Sequence, residues 1–190
     1  MSEMIRSFLA IELPDTLKFK ISEYISALSD CTENVKWVNS NNLHLTLKFL
    51  GNQPEDKINR LIPCLIQAGN AVSSFQLKTS MIGAFPNTRK PRVLWLGAEC
   101  DPKQNTQLLK NWIENTLEPI GLEKDDKKLK AHLTLGRVKY PEDYSSLWNY
   151  IEAHPFKPFS FEVKQFVLMR SILKPDGPKY SVLQKFSLRV

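Results

Sequence analysis

Hydrophobic and polar residues alternate along several stretches of the chain, and this two-residue period is typical of β-strands with one buried face. Extended segments are therefore predicted at residues 5–13, 35–38, 43–50, 75–81, 93–98, 132–140, 159–173 and 180–190. Residues 93–98 alternate least, which indicates a central strand that is buried on both faces. The last two segments are joined by the sequence KPDGPK, whose proline and glycine residues favour a β-hairpin turn.

A period of about 3.6 residues in the intervening stretches predicts four α-helices, which begin near Pro14, Pro54, Pro102 and Pro141. Their predicted buried faces are Leu17, Ile21, Ile25 and Leu28; Ile58, Leu61, Ile62, Leu65 and Ile66; Leu108, Leu109, Trp112, Ile113 and Leu117; and Tyr144, Leu147, Trp148 and Ile151. Pro63 lies inside the second pattern. Because proline lacks a backbone N–H and its ring clashes with the preceding turn, it is expected to kink or split that helix.

The sequence His-Leu-Thr-Leu occurs twice, at residues 44–47 and 132–135. In each copy a predicted strand carries these four residues, a turn follows, and Pro-Glu-Asp opens the next predicted helix. Duplication of one strand–turn–helix unit explains this match better than chance does. We therefore expect two related lobes, arranged about a pseudo-twofold axis, within a single domain of residues 1–190.

Composition places few further limits on the protein. The net charge of +6 permits an anionic partner such as RNA or a nucleotide, and the cluster of Arg89, Lys90 and Arg92 lies between the two motifs. The mixed run EKDDKKLK at residues 123–130 is predicted to be a solvated loop. No stretch approaches the roughly 18 apolar residues that span a bilayer. Three widely spaced cysteines, with no Cys-x-x-Cys pair, indicate free thiols in a reducing compartment, so a cytoplasmic protein is expected. A monomer is the default expectation, which no feature of the sequence decides.

The duplicated motif suits acid–base chemistry on a phosphodiester. Side chains two residues apart on a strand share a face, so His44 lies beside Thr46, and the leucines face the core. The same holds for His132 and Thr134. If the lobes face each other, one imidazole deprotonates water while the other protonates the leaving oxygen. The threonine hydroxyls and Arg137, five residues after His132, are candidates for binding the phosphate oxygens.

Other interpretations of these residues stay open on the sequence alone. A histidine in a strand is often structural, the threonines also fit simple strand propensity, and Arg137 also fits a surface ion pair. Two histidines also suit zinc, but a catalytic zinc normally has a third protein ligand, and neither motif contains one, so no metal or other cofactor is expected. A non-catalytic module that binds an RNA end is a further alternative, in which Trp37, Phe49 or Phe85 stacks on a base.

Five stretches of the chain match one known family: IRSFLAIELP, VKWVNSNNLHLTLKFLGN, FPNTRKPRVLWLG, AHLTLGRV and SILKPDGPKYSVLQKFSL. With these residues the chain resembles the two-histidine phosphoesterase superfamily, in the branch of the RNA 2′,3′-cyclic phosphodiesterases, also called 2′-5′ RNA ligase-like proteins. The resemblance implies a bilobal α+β fold, in which each lobe is an antiparallel sheet flanked by helices and the active-site cleft lies between them.

The resemblance also implies the reaction and the residue roles. The expected activity is metal-independent opening of an RNA 2′,3′-cyclic phosphate, or of a related nucleotide, to a 2′-phosphomonoester. His44 would protonate the leaving 3′ oxygen, His132 would activate water, and Thr46, Thr134 and Arg137 would hold the phosphate. Formation of a 2′-5′ RNA bond is the reverse reaction at the same site and remains an alternative.

Overall fold

The computed structural model describes residues 3–101, 105–125, 127–175 and 177–190. These residues form nine strands: β1 (Met4–Glu12), β2 (Val35–Trp37), β3 (His44–Pro54), β4 (Phe75–Phe85), β5 (Val93–Asp101), β6 (His132–Val138), β7 (Ser160–Val163), β8 (Gln165–Lys174) and β9 (Gly177–Ser187). They also form four α-helices: α1 (Asp15–Ser29), α2 (Glu55–Asn70), α3 (Asn105–Leu117) and α4 (Ser145–Ala153). The predicted α+β class is confirmed.

The strands form a single antiparallel sheet in the order β7-β4-β5-β6-β3-β1-β8-β9, and β2 adds to β6. The two motif strands, β3 and β6, lie side by side at the centre and are joined by one registered pair, Leu45 and Leu133. The two half-sheets that two lobes would contribute therefore form one continuous sheet. Strand β4 belongs to the first half of the chain but pairs with β5 of the second half. Strand β8 belongs to the second half but pairs with β1 of the first half, so the two halves exchange a strand.

The main core lies between the helices and one face of the sheet. The motif leucines are buried there, and α1 buries the four apolar side chains that its period predicts. A smaller cluster of Phe8, Ala10, Val167 and Met169, with Tyr180 packed against it, occupies the other face. It lies on the opposite side because these residues alternate along their strands with core residues such as Leu9 and Leu168. This second face carries the polar motif residues.

Helix α2 differs from its prediction in two respects. It runs without interruption from Glu55 to Asn70 with Pro63 inside, so the expected split does not occur. Pro63 removes one backbone N–H donor, but packing of the surrounding turns stabilises the helix by more than the loss of that hydrogen bond costs. Ile66, predicted to be buried, is 47% exposed, and the C-terminal turns instead bury Ala68 and Gly69. A Cβ on Gly69 would lie 2.4 Å from the carbonyl oxygen of Ser187, so glycine permits this close approach to β9.

The helix after the second motif also begins differently from the first. Whereas α2 starts immediately after Pro54, α4 starts at Ser145, four residues after Pro141. Asp143 Oδ1 accepts hydrogen bonds from the backbone N–H and the hydroxyl of Ser145, at 2.9 Å and 2.6 Å. The shared Pro-Glu-Asp sequence therefore opens a helix directly only in the first copy.

Other predicted boundaries also change. Strand β4 continues through Phe85, beyond its predicted end, and the long segment 159–173 divides into β7 and β8. Leu108 and Trp112, predicted on the buried face of α3, are 42% and 43% exposed. The predicted start of the third helix, at Pro102, lies outside the described residues. None of the helices that the structure describes is long and apolar enough to cross a membrane.

Candidate active site

The pairing of β3 with β6 brings the two motifs together. Because Leu45 and Leu133 are opposite each other in an antiparallel pair, His44 falls opposite Thr134 and Thr46 opposite His132. All four polar side chains lie on the face opposite the buried leucines. Diagonal neighbours in such a pair are roughly 7–8 Å apart between Cα atoms, which is the expected spacing of the two histidines.

Arg137 reaches this face because of a β-bulge. Simple alternation from His132 would place it on the leucine side. In the structure Thr134 pairs with Trp95 and Gly136 with Leu94, which leaves Leu135 as an extra residue. The extra residue reverses the parity of the strand, so Gly136 takes a core-facing position and Arg137 joins His132 and Thr134 on the site face.

The same bulge occurs in the first motif strand. Thr46 pairs with Ala10 and Lys48 with Leu9, which leaves Leu47 as the extra residue. Phe49 then pairs with Phe8 and lies on the site face, in the position that Arg137 occupies in the second copy. The two bulges thus place one aromatic and one guanidinium at equivalent points of the duplicated framework.

Both imidazoles are oriented by the same contact. His44 Nδ1 lies 2.8 Å from the carbonyl oxygen of Asn42, and His132 Nδ1 lies 2.6 Å from that of Lys130. Since a carbonyl can only accept, each Nδ1 carries a proton and donates it. Each Nε2 makes no hydrogen bond within the part of the chain that the structure describes, and so remains available for proton transfer to or from a substrate.

Burial lowers the pKa of His44 below its ordinary value, the hydrogen bond to the Asn42 carbonyl opposes this, and the charge of His132 lowers the pKa further. An anion bound between the two histidines acts in the opposite direction, because negative charge favours the protonated form.

Two aromatic rings pack against each histidine. The ring centroid of His44 lies 4.8 Å from that of Phe8 and 5.2 Å from that of Tyr180. The corresponding distances from His132 are 5.1 Å to Phe85 and 6.4 Å to Trp95. These rings restrict how the imidazoles rotate and exclude water from their edges. Phe8, Tyr180 and Trp95 were not predicted as site residues, because their contacts with the histidines depend on strand pairing.

The three aromatics considered as base-stacking candidates have different environments. Phe85 packs on His132, and Trp37 packs against the main core, with its Nε1 buried and unpaired. Phe49 is 72% exposed, and its ring lies 6.1 Å from that of Phe8. Of the three, Phe49 therefore has the open face that stacking on a base requires.

Arg137 is exposed and makes no ion pair with any described residue, so the surface ion pair considered above is not formed. Burial raises the pKa of the Tyr180 hydroxyl, while the charges of Arg137 and Arg6 oppose that rise. Both guanidinium groups therefore act on Tyr180, whose ring touches His44. This region of the site has a surplus of positive charge and suits an anion.

A catalytic zinc ion at this site would need a third protein ligand beside the two histidines. Glu12 pairs with His44 across β1 and β3, but its carboxylate lies 3.5 Å from Lys185 Nζ. Among the residues that the structure describes, no group of three or more His, Cys, Asp or Glu side chains is placed to hold a metal ion.

Comparison with known proteins identifies the class to which this fold and site belong. The family model of the LigT-like phosphoesterases matches residues 11–95 and 98–180, and each segment contains one His-Leu-Thr-Leu motif. The chain belongs to this family. Similar proteins named RNA 2′,3′-cyclic phosphodiesterase occur in Methanocaldococcus jannaschii, with 32% identity over 96% of this chain and 100% of the relative, and in Thermotoga maritima, with 35% identity over 94% and 93%.

Solved structures show the same fold. TT0787 of Thermus thermophilus aligns with a TM-score of 0.80 and 30% identity, covering 97% of this chain and 98% of that protein. Escherichia coli LigT in complex with 3′-AMP aligns with a TM-score of 0.76 and 25% identity, covering 98% and 99% of the respective chains.

Proposed function

We propose that this protein is an RNA 2′,3′-cyclic phosphodiesterase that opens a terminal cyclic phosphate and leaves a 2′-phosphomonoester. The observation that carries the proposal is the pair of imidazoles on adjacent strands, each with its Nδ1 held by a carbonyl and its Nε2 unoccupied. The names of the relatives and the nucleotide complex of E. coli LigT support the same substrate class.

The proposed reaction is an in-line displacement at phosphorus. His132 Nε2 takes a proton from water as the water oxygen forms a bond to phosphorus. The bond from phosphorus to the 3′ oxygen breaks on the opposite side, and that oxygen takes a proton from His44 Nε2. The histidines exchange protonation states during the reaction and return through solvent. The resemblance to the family sets which histidine is donor and which is acceptor, since the motifs themselves are alike.

Thr46, Thr134 and Arg137 are proposed to hold the non-bridging oxygens. Neither threonine hydroxyl is hydrogen-bonded to another described residue, and both lie between the histidines by strand register. Arg137 adds a planar donor pair that matches two phosphate oxygens. As charge develops on these oxygens, the three groups stabilise the transition state more than the ground state.

Phe49 is proposed to stack on a base of the substrate. It shares the site face with Thr46 and exposes most of its ring. Stacking is tolerant of base identity because every base has a π-face. The proposed substrate is thus recognised by its terminal phosphate and by one stacked base, in a monomeric cytoplasmic enzyme that uses no cofactor.

The deciding experiment uses RNA that ends in a 2′,3′-cyclic phosphate, incubated with the protein in EDTA. The expected product carries its phosphate on the 2′ hydroxyl, and turnover is the same with and without the chelator. Affinity without product would identify a binding module instead. Joining to an RNA with a free 5′ hydroxyl, in place of hydrolysis, would identify the ligase alternative. Activity that EDTA abolishes and a divalent ion restores would contradict the proposed mechanism.

A further inference from the structure

A cavity of about 1120 Å³ opens from the site on the side of Thr46 and His132. One wall is the outer part of β3, from Thr46 to Gly51, and the other is formed by residues 121–125 and 127–130, which precede β6. Ligand pockets are typically about 300–1,000 Å³, so this space exceeds what a single terminal nucleotide needs. The segment predicted to be a solvated loop is exposed, but it also forms a wall of this cavity.

The charges in the cavity wall fall into two groups. Lys48 and Lys110 are buried and neutralised: Lys48 Nζ lies 2.5 Å from Glu114 Oε2, and Lys110 Nζ lies 3.5 Å from Asp125 Oδ2. Lys124 pairs with the carboxylate of Glu118, outside the lining.

The second group is Lys127, Lys128 and Lys130, which are exposed and make no ion pair within the described ranges. The carboxylates in the described lining are Glu123 and Asp125. Lys130 Nζ lies 5.8 Å from the ring centroid of Phe85, near the catalytic histidine. The charge of Lys127 acts on the nearby Asp125 carboxylate without forming an ion pair, and lowers its pKa. Exposed ammonium groups that form no ion pair with a described residue therefore run along the wall and reach the site itself.

The chemistry of the proposed substrate requires such a path. A 2′,3′-cyclic phosphate ends an RNA strand, so the remaining nucleotides leave the site in one direction, through the 5′ oxygen of the terminal ribose. The other basic segment, Arg89 to Arg92, does not line the cavity. We propose that the cavity between β3 and residues 121–125 and 127–130 is a subsite for single-stranded RNA upstream of the terminal nucleotide, with Lys127 and Lys128 bound to its phosphates. This inference rests on the proposed function.

The test compares two substrates with the same terminal nucleoside: a nucleoside 2′,3′-cyclic monophosphate and a five-nucleotide RNA with a 2′,3′-cyclic end. The measured quantity is the ratio of kcat/KM for the oligonucleotide to kcat/KM for the mononucleotide. The double variant Lys127→Ala/Lys128→Ala is expected to lower this ratio several-fold. The matched control Lys20→Ala/Lys78→Ala, at two exposed lysines outside the cavity lining, is expected to leave it unchanged.

Salt provides a second measurement. The plot of log kcat/KM against log salt has a negative slope, and each phosphate contact to a single strand makes it steeper by about 0.7. Removing two contacts therefore makes the slope shallower by about 1.4. Between 50 and 200 mM salt, the unmodified protein is then expected to lose about sevenfold more of its oligonucleotide kcat/KM than the double variant. An unchanged slope and ratio would overturn the inference, as would a reduced ratio in Arg89→Ala/Lys90→Ala but not in Lys127→Ala/Lys128→Ala.

The two proposals fail in different ways. If the unmodified protein turns over neither substrate, the proposed function is wrong, and the subsite is then tested by fluorescence anisotropy with the same labelled oligonucleotide. Weaker binding by Lys127→Ala/Lys128→Ala supports the subsite in that case, and equal binding overturns it. If both substrates are hydrolysed and the ratio does not respond to the lysines, the proposed function stands and the subsite is wrong.

Discussion

The substitution Glu114→Gln tests the buried charges that hold the backbone of Glu123, Asp125 and Lys127 against the rest of the fold. Glu114 Oε2 lies 2.5 Å from Lys48 Nζ on β3, and Oε1 lies 3.8 Å from Lys110 Nζ on α3. The same ammonium groups donate to the carbonyl oxygens of Glu123, Asp125 and Lys127. Removing the carboxylate charge leaves two buried ammonium groups with less compensation, in a part of the molecule where both lysines are at least 93% buried.

The expected loss follows from the partners that remain. Breaking a buried ion pair from one side costs about 3–5 kcal/mol. In the variant, Lys110 keeps its contacts with Asp125 and two carbonyl oxygens, and Lys48 keeps the carbonyl oxygen of Glu123 among the described residues. Because these partners remain, the lower end of that energy range applies. A loss of about 3 kcal/mol in the free energy of unfolding corresponds to roughly 6–12 °C in Tm for a chain of this length.

Urea unfolding followed by circular dichroism measures the loss, with Glu118→Gln as the matched control. Glu118 pairs with Lys124 at the surface, so its substitution is expected to change stability by less than about 1 kcal/mol. The double variant Lys48→Met/Glu114→Gln is expected to be more stable than Glu114→Gln alone, because it no longer buries the Lys48 charge. A loss below about 1 kcal/mol for Glu114→Gln, or strictly additive effects in the double variant, would refute this reasoning.

The remaining predictions concern catalysis. His44→Ala and His132→Ala are each expected to lower kcat roughly 10²–10⁴-fold, and a wild-type rate in either variant would rule out the paired mechanism. Because burial and the charge of His132 lower the pKa of His44 in the free protein, and a bound phosphate raises it, the alkaline limb of kcat should lie at higher pH than that of kcat/KM; coincident limbs would exclude His44 as the donor. Phe49→Ala is expected to lower kcat/KM by about 5–150-fold, from about 1–3 kcal/mol of base stacking, whereas Phe49→Trp should retain activity; equal losses in both variants would argue against stacking.

What the sequence predicts well is local. The four buried side chains of α1 follow an uninterrupted period, and the shared face of His44 and Thr46 follows from strand alternation alone. The position of Arg137 does not follow from strand alternation, because its side of the sheet depends on a bulge that is defined only by pairing with Leu94 and Trp95. The exchange of β4 and β8 between half-sheets is likewise a property of distant pairings, and no local pattern encodes it.

The charged segment 123–130 shows a related limit. Its composition indicates exposure, and most of its described residues, 123–125 and 127–130, are exposed. The cavity it borders exists because buried Lys48 and Lys110 bind its carbonyls, and neither lysine is marked in the sequence as a buried residue. A lysine four residues after the first histidine, where the second copy has Gly136, is the only difference that hints at this role.

The two matching bulges have a consequence for how a substrate is seated. Two histidines on strands related by a pseudo-twofold rotation do not by themselves distinguish the two opposite orientations of a bound cyclic phosphate. In the proposed binding mode, Phe49 on one side and Arg137 on the other distinguish the two orientations, since an aromatic ring attracts a base and a guanidinium attracts an anion. In this proposed scheme the residue five positions after each histidine differs between the two copies, and this difference gives the bound substrate a single orientation between the two histidines.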